Sequence, residues 1–266
     1  MGLHKGEDTK YYLSRGFRVV AVEADPDLVS LCKDKFRKSI ELGDLVLVHG
    51  AIVADDNQTF VKFFKNLKKS DWGTTVATFA DRNKGYGANS VEIDVPVVDF
   101  KALLKTYGCP YYIKIDIEGS DTACLQKLLS TCCRPKYISI ESEKVDFGKL
   151  IQELNFLESL GYSKFYIQQQ ATIGKCAVPP NSIEGTYVDQ SFVKGMSGPF
   201  GSDLGSNWLS KQDAVDAYKQ IFKSYKYFGD NSVLMKLPLA KYILFIVSKL
   251  VGKPLPGWYD THAQLE

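Results

Sequence analysis

GLHKGEDTKYYLSRGFRVVAVEADP, residues 2–26, places two glycines, Gly2 and Gly6, ahead of an apolar run that ends in a single acid, Glu23. VVAV followed by Glu23 reads as a buried strand with one charge at its C-terminal end, where ligands sit in open α/β sheets. Pro26 then opens a helix running towards Ser39, since its missing amide would have no partner in a first helical turn. An acid 21 positions after Gly2 suits a nucleotide-binding unit, in which the glycines admit the ligand and the acid accepts from ribose hydroxyls. Two glycines alone carry little weight, because a surface turn explains them equally well.

Outward from this stretch, short apolar runs alternate with helical patterns, as a parallel sheet covered by helices requires. Strands are expected near 45–48, 111–117, 136–143 and from 162 onward. Leu150, Ile151, Leu154, Leu157 and Leu160 recur at helical spacing between the last two. Two stretches break the rhythm. Residues 70–90 are rich in Gly, Thr, Ser and Asn and read as a long loop, expected to move in the absence of ligand. Residues 193–220 read as a second loop before a helix starting near Ser210. Trp72, Tyr86, Trp208, Trp258 and Tyr259 fall in loops, where aromatic rings can form a platform for a sugar or another flat molecule.

The 266 residues suit one large α/β domain, 1–192, with a C-terminal loop and helical extension, 193–266. Lys and Arg number 33 against 31 Asp and Glu, so a net charge of +2 gives no electrostatic case for nucleic acid. Six cysteines, among them the adjacent Cys132 and Cys133, lack the paired spacing of metal sites or small secreted scaffolds. Reduced thiols and a cytoplasmic location are expected, and the charged first twenty residues show no secretory leader. The apolar stretch at 233–252 carries Lys236, Lys241, Lys249 and Pro238. A buried or partner-facing helix is expected there rather than a membrane span, with an amphipathic surface helix as the alternative. The oligomeric state is left open.

KIDIEGSD, residues 114–121, is the second informative stretch. Side chains alternate along a strand, so Lys114, Asp116 and Glu118 are expected on one face and Ile113, Ile115 and Ile117 on the other. Three charges on a buried strand are costly unless they pair or work. An internal Lys114–Asp116 ion pair is the structural explanation, and catalysis at the strand's C-terminal end is the functional one.

KIDIEGSD resembles the K-x-D-x-E-G-x-[DE] segment of the FkbM family of S-adenosylmethionine-dependent methyltransferases. The likeness extends to residues 2–26, to SGPFGSDLG at 197–205 with Trp208, and to GWYDTHA at 257–263. It implies a Rossmann-like class I methyltransferase sheet, mostly parallel, with helices on both faces and the family's first strand absent from this chain. It further implies that Gly2 and Gly6 border the methionine part of the cofactor, that Glu23 holds its ribose, and that Ala51 and Ile52 lie near the adenine. Asp116 would sit beside the transferred methyl group and also orient or deprotonate the acceptor, with Glu118 second. His4 and His49 would flank the pocket. The implied activity is O-methylation of a hydroxyl on a glycan, lipid-linked saccharide or secondary metabolite. The alternative is a non-catalytic remnant or binding module of the same fold that has lost cofactor binding. A nicotinamide-dependent oxidoreductase is disfavoured by the missing third glycine. A metal held by Asp116, Glu141 and Glu143 lacks a second motif, and none is expected.

Overall fold

The computed structural model describes residues 1–193, 195–228, 240–252, 255 and 257–266. The chain is α/β and divides into two compact units, one of Met1–Ile138 with Asn181–Val188, the other of Ser139–Pro180 with Asp189–Glu266.

In the first unit α1, Glu7–Ser14, precedes β1, Val19–Glu23, and the latter pairs in parallel with β2, Leu45–His49, from Val19↔Leu45 to Glu23↔His49. Between them runs α2, Pro26–Lys35. Its N-cap is Asp25, whose carboxylate accepts the Asp27 amide at 2.9 Å, and Pro26 occupies the first turn. The helix expected to reach Ser39 breaks at Phe36, and a short α3, Arg37–Glu41, follows. Phe36 is buried with Leu3, Ala21, Cys32 and Leu45, which closes α2 over the parallel pair.

β3, Phe60–Asn66, and β4, Ser90–Pro96, form an antiparallel ladder. A single parallel bridge, Ala51↔Val97, continues the path of β2 alongside the residues after β4. The 70–90 segment is not the loop the composition suggests. It holds a 3-10 turn, Ser70–Trp72, and a nine-residue α4, Ala77–Gly85. α5, Phe100–Tyr107, is capped by Asp99, and β5, Tyr112–Ile115, leads to α6, Asp121–Leu129.

Cys109 and Cys133 form a disulfide across a sequence separation of 24. This corrects the expectation of six reduced thiols. The pair brackets β5 and α6, and a spacing of that length has no signature in the sequence. The reduced-thiol ground for a cytoplasmic location therefore falls away.

β6, Tyr137–Glu141, contains the sequence boundary between the units. The second unit continues with α7, Phe147–Ser159, then β7, Tyr162–Gln169, α8, Lys211–Phe228, α9, Ala240–Val251, and β8, Tyr259–Leu265. Leu150, Leu154, Leu157 and Leu160 are buried as their spacing predicts, and Asp146 caps α7 by accepting from Gly148 and Lys149. β7 and β8 pair antiparallel, from Tyr162↔Leu265 to Gln169↔Tyr259. The hydroxyls of Ser142, Tyr218 and Thr261 form a buried triangle with edges of 2.6, 2.6 and 2.8 Å, satisfying one another where no water reaches. Of the 233–252 stretch, α9 is described from Ala240, and positions 233–239 lie outside the described residues. No helix among the described residues is long and apolar enough to cross a membrane.

Candidate functional site

The first three residues cross from β1 to β5. The amides of Gly2 and Leu3 donate to the Val22 carbonyl at 3.1 and 3.2 Å, and the Met1 amino group donates to the Lys114 carbonyl at 2.7 Å. This crossing brings the C-terminal end of β1, with Glu23, next to that of β5, with Asp116. Gly2 is required by contact as well as by its φ of 77°, because a Cβ there would stand 1.9 Å from the Asp116 carbonyl oxygen. Gly6 has a different task. It caps α1 at φ 74°, and a Cβ on it would strike the Phe36 ring at 2.4 Å. It serves the fit of the turn onto α2.

Glu23 is buried at the end of β1. Its Oε2 accepts the His4 amide at 2.8 Å and its Oε1 the Asp25 amide at 2.9 Å, so one carboxylate holds both the glycine turn and the start of α2. Burial raises its pKa above the ordinary carboxylate value, opposed by these amide bonds. His4 lies at φ 51°, outside the usual range of a non-glycine residue, and its Nε2 meets Ser70 Oγ at 2.8 Å. His49 points elsewhere, its Nε2 lying 3.2 Å from the Ala24 carbonyl. Ala51 and Ile52 are buried just beyond β2. Both backbone groups of Ala51 are committed, its amide to Pro96 O and its carbonyl to the Val98 amide, each at 2.9 Å.

Lys114 reaches Asp116 Oδ2 at 2.9 Å and Asp8 Oδ2 at 3.3 Å, so the ion pair inferred from side-chain alternation is present and extends to α1. The Asp116 side chain is 41% exposed, leaving it open to a small molecule. Glu118 departs from the expected face. β5 ends at Ile115, and Asp121 folds the following turn by accepting the Ile117 amide at 2.9 Å and the Gly119 amide at 3.0 Å. Glu118 is thereby held at φ 50°, a strained conformation of the kind that clusters at functional sites. Its carboxylate lies 4.0 Å from Arg82 of α4.

The 70–85 segment closes over this turn. Thr74 Oγ1 donates to the Glu118 carbonyl at 2.7 Å, Thr75 and Ser120 hydroxyls meet at 2.9 Å, and Phe79 packs so closely on Gly119 that a Cβ there would be 2.7 Å from its ring. Trp72 packs edge-on to Tyr86 at 6.3 Å and beneath the Lys69 ammonium at 3.5 Å. Asp8, Ser70, Thr74 and Arg82 were not singled out in the sequence, and Asp121 was seen only as the last letter of a motif. In the second unit, Glu141 pairs with Lys144 at 2.9 Å and Glu143 accepts the Val145 amide at 2.6 Å, so both acids have local structural work.

The first unit therefore presents two carboxylates, Glu23 and Asp116, on either side of a glycine turn. A family model described as the methyltransferase FkbM domain matches residues 1–164. No curated protein and no solved structure matches the chain.

Proposed function

The chain belongs to the FkbM methyltransferase family, and from that premise we propose that it moves a methyl group from S-adenosylmethionine to a hydroxyl oxygen on a class I, Rossmann-like sheet. The acceptor in this reading is a glycan, a lipid-linked saccharide or a secondary metabolite. The supporting observation is the Met1–Leu3 crossing, which sets Glu23 and Asp116 at neighbouring strand ends.

The residues fit the cofactor. A carboxylate offers about four lone-pair sites, and the amides of His4, Asp25 and Ala24 leave Glu23 capacity for a ribose hydroxyl. Gly2 and His4 would border the methionine part, and Ala51 with Ile52 the adenine. Gly6 would act one step removed, by seating the turn on Phe36. When bound, S-adenosylmethionine supplies a methyl group already activated by its sulfonium. Asp116 has to place an acceptor hydroxyl in line with that methyl and take up or share its proton. Its pairing with Lys114 at 2.9 Å fixes where its carboxylate points, so orientation is its larger contribution. Glu118, facing Arg82, is the second acid within the same turn.

Titration calorimetry of the full-length folded chain with S-adenosylmethionine and with its demethylated product tests this reading, and absence of heat with both would sink it. Asp116→Asn is expected to keep cofactor binding and lose turnover; equal loss of both would reassign Asp116 to holding the cofactor. The alternative, a binding module without catalysis, draws support from the Lys114–Asp116 pair, which explains the charges without chemistry.

A further inference from the structure

A groove of 460 Å³ lies within the second unit, between α8 and the outer edge of β7. That is the size range of small-molecule sites. One wall is a single face of α8, where Ala217, Gln220, Ile221 and Ser224 follow one another at i, i+3, i+4 and i+7. The opposite wall is an unfinished sheet edge. Phe165 and Leu209 exchange both backbone hydrogen bonds, at 2.9 and 2.7 Å, and form an isolated bridge. In an antiparallel ladder the residue two further on turns the same way, so the amide and carbonyl of Ile167 face outward beside Asn207, and both residues line the groove. Tyr166 and Tyr259 complete it, Tyr166 held edge-on to Trp208 at 5.8 Å and Tyr259 by Gln169 at 3.2 Å.

The lining selects by what it contains. None of its described residues is ionisable near neutral pH: side-chain amides, hydroxyls and one pair of strand-edge backbone groups alternate with Ala, Ile, Leu and tyrosine rings. Against these described residues a phosphate or carboxylate would lose its hydration and meet no counter-charge from them, at a cost that they do not offset. A purely aliphatic guest would strip water from Asn207, Gln220 and the Ile167 edge and return no hydrogen bonds. A molecule with apolar C–H faces and several uncharged hydroxyls satisfies both halves. The C–H faces lie on tyrosine rings, and the hydroxyls reach the amides and the strand edge.

We infer that this groove binds a neutral saccharide. The inference goes beyond methyl transfer and concerns the second unit by itself, so it stands or falls separately from cofactor binding.

The test is saturation-transfer NMR on the full-length chain. The probes are methyl glucoside, methyl mannoside, methyl galactoside, methyl rhamnoside and maltose, set against glucuronate, glucose 1-phosphate and n-hexanol. At least one neutral sugar is expected to give a saturable signal that exceeds all three controls. Ile221→Trp, which fills the groove, is expected to weaken it at least tenfold. Gln220→Leu, at an exposed position, is expected to weaken it several-fold, with the melting temperature and S-adenosylmethionine binding unchanged in both. Preference for an anionic sugar or for hexanol, absence of signal from every neutral sugar, or equal binding by both variants would overturn the proposal. Gln220→Leu keeps the test decisive if Ile221→Trp fails to fold.

Discussion

The backbone amide of His4 donates to Glu23 Oε2 at 2.8 Å, tying the glycine turn to the end of the strand that follows it in sequence. With the second bond to Asp25, Glu23 is both the residue proposed to hold ribose and the residue that builds the turn around it. Glu23→Gln puts an amide donor where two backbone donors point. Charge-assisted hydrogen bonds of this kind are worth about 1.5–3 kcal/mol, so a loss of tenfold or more in S-adenosylmethionine affinity is expected, together with a lower melting temperature. Calorimetry and thermal denaturation of the same preparation check both; a variant as stable as the parent would separate the two roles.

Gly2 and Gly6 are expected to respond differently to repair. Gly6→Ala drives a methyl into the Phe36 ring, a side chain that can be shortened. Phe36→Leu in the Gly6→Ala background should recover part of the lost stability, with a coupling of about 0.5–3 kcal/mol in a double-mutant cycle. Gly2→Ala meets the Asp116 backbone, which no side-chain change can retract. Urea denaturation of the four-member cycle, with Gly2→Ala alone and with Phe36→Leu, measures this. Rescue of both glycines by Phe36→Leu would contradict the assignment.

Alkylation under denaturing, non-reducing conditions is expected to label four of the six cysteines, Cys32, Cys124, Cys132 and Cys176, and to leave a linked peptide pair containing Cys109 and Cys133. Reduction should cost about 3.5 kcal/mol of stability, as expected for closing a loop of this length. Mass spectrometry gives the pairing, and urea midpoints with and without reductant give the cost. Six labelled cysteines would refute it.

His262 lies fully buried in β8, edge-on to Tyr166, and burial lowers its pKa from 6.5 to about 3. The unfolded chain then binds a proton between these values while the native chain does not. Stability from this residue is intact above pH 6.5 and falls as pH drops, by about 1.4 kcal/mol per unit until the native pKa is reached. Urea midpoints at pH 7 and pH 5 should therefore differ less in His262→Gln than in the parent. An identical pH dependence in the two proteins would contradict this.

β1, β2, β5, α7 and β7 were legible because apolar runs and spacing of Leu residues mark them, and Pro26 marks the start of α2. α4 was not. Only Ala80 and Asn83 of its nine residues are buried and no side chain caps it, so it is held by contacts with a distant turn rather than by an apolar stripe of its own. β8 was hidden for the opposite reason. Asp260, Thr261 and His262 are buried polar residues, and a strand interior made of them reads as a loop. In the candidate site, Glu23 stood out as a charge at the end of an apolar run, and Asp116 as one of three charges sharing a face of an otherwise apolar strand. Asp8, Asp121, Ser70 and Thr74 act through folding, and nothing in their local sequence announces it.

The bonds from Ser70 to His4 and from Thr74 to Glu118 join positions 66 and 44 residues apart. A segment pinned to both turns peels away only by losing both bonds, so it holds the Glu23 turn and the Glu118 turn in one arrangement. Weakening Ser70 or Thr74 would then loosen the link between the two turns while the bonds within each turn stay as they are. Each turn is shaped by its own carboxylate, and the register between the two is kept by different residues.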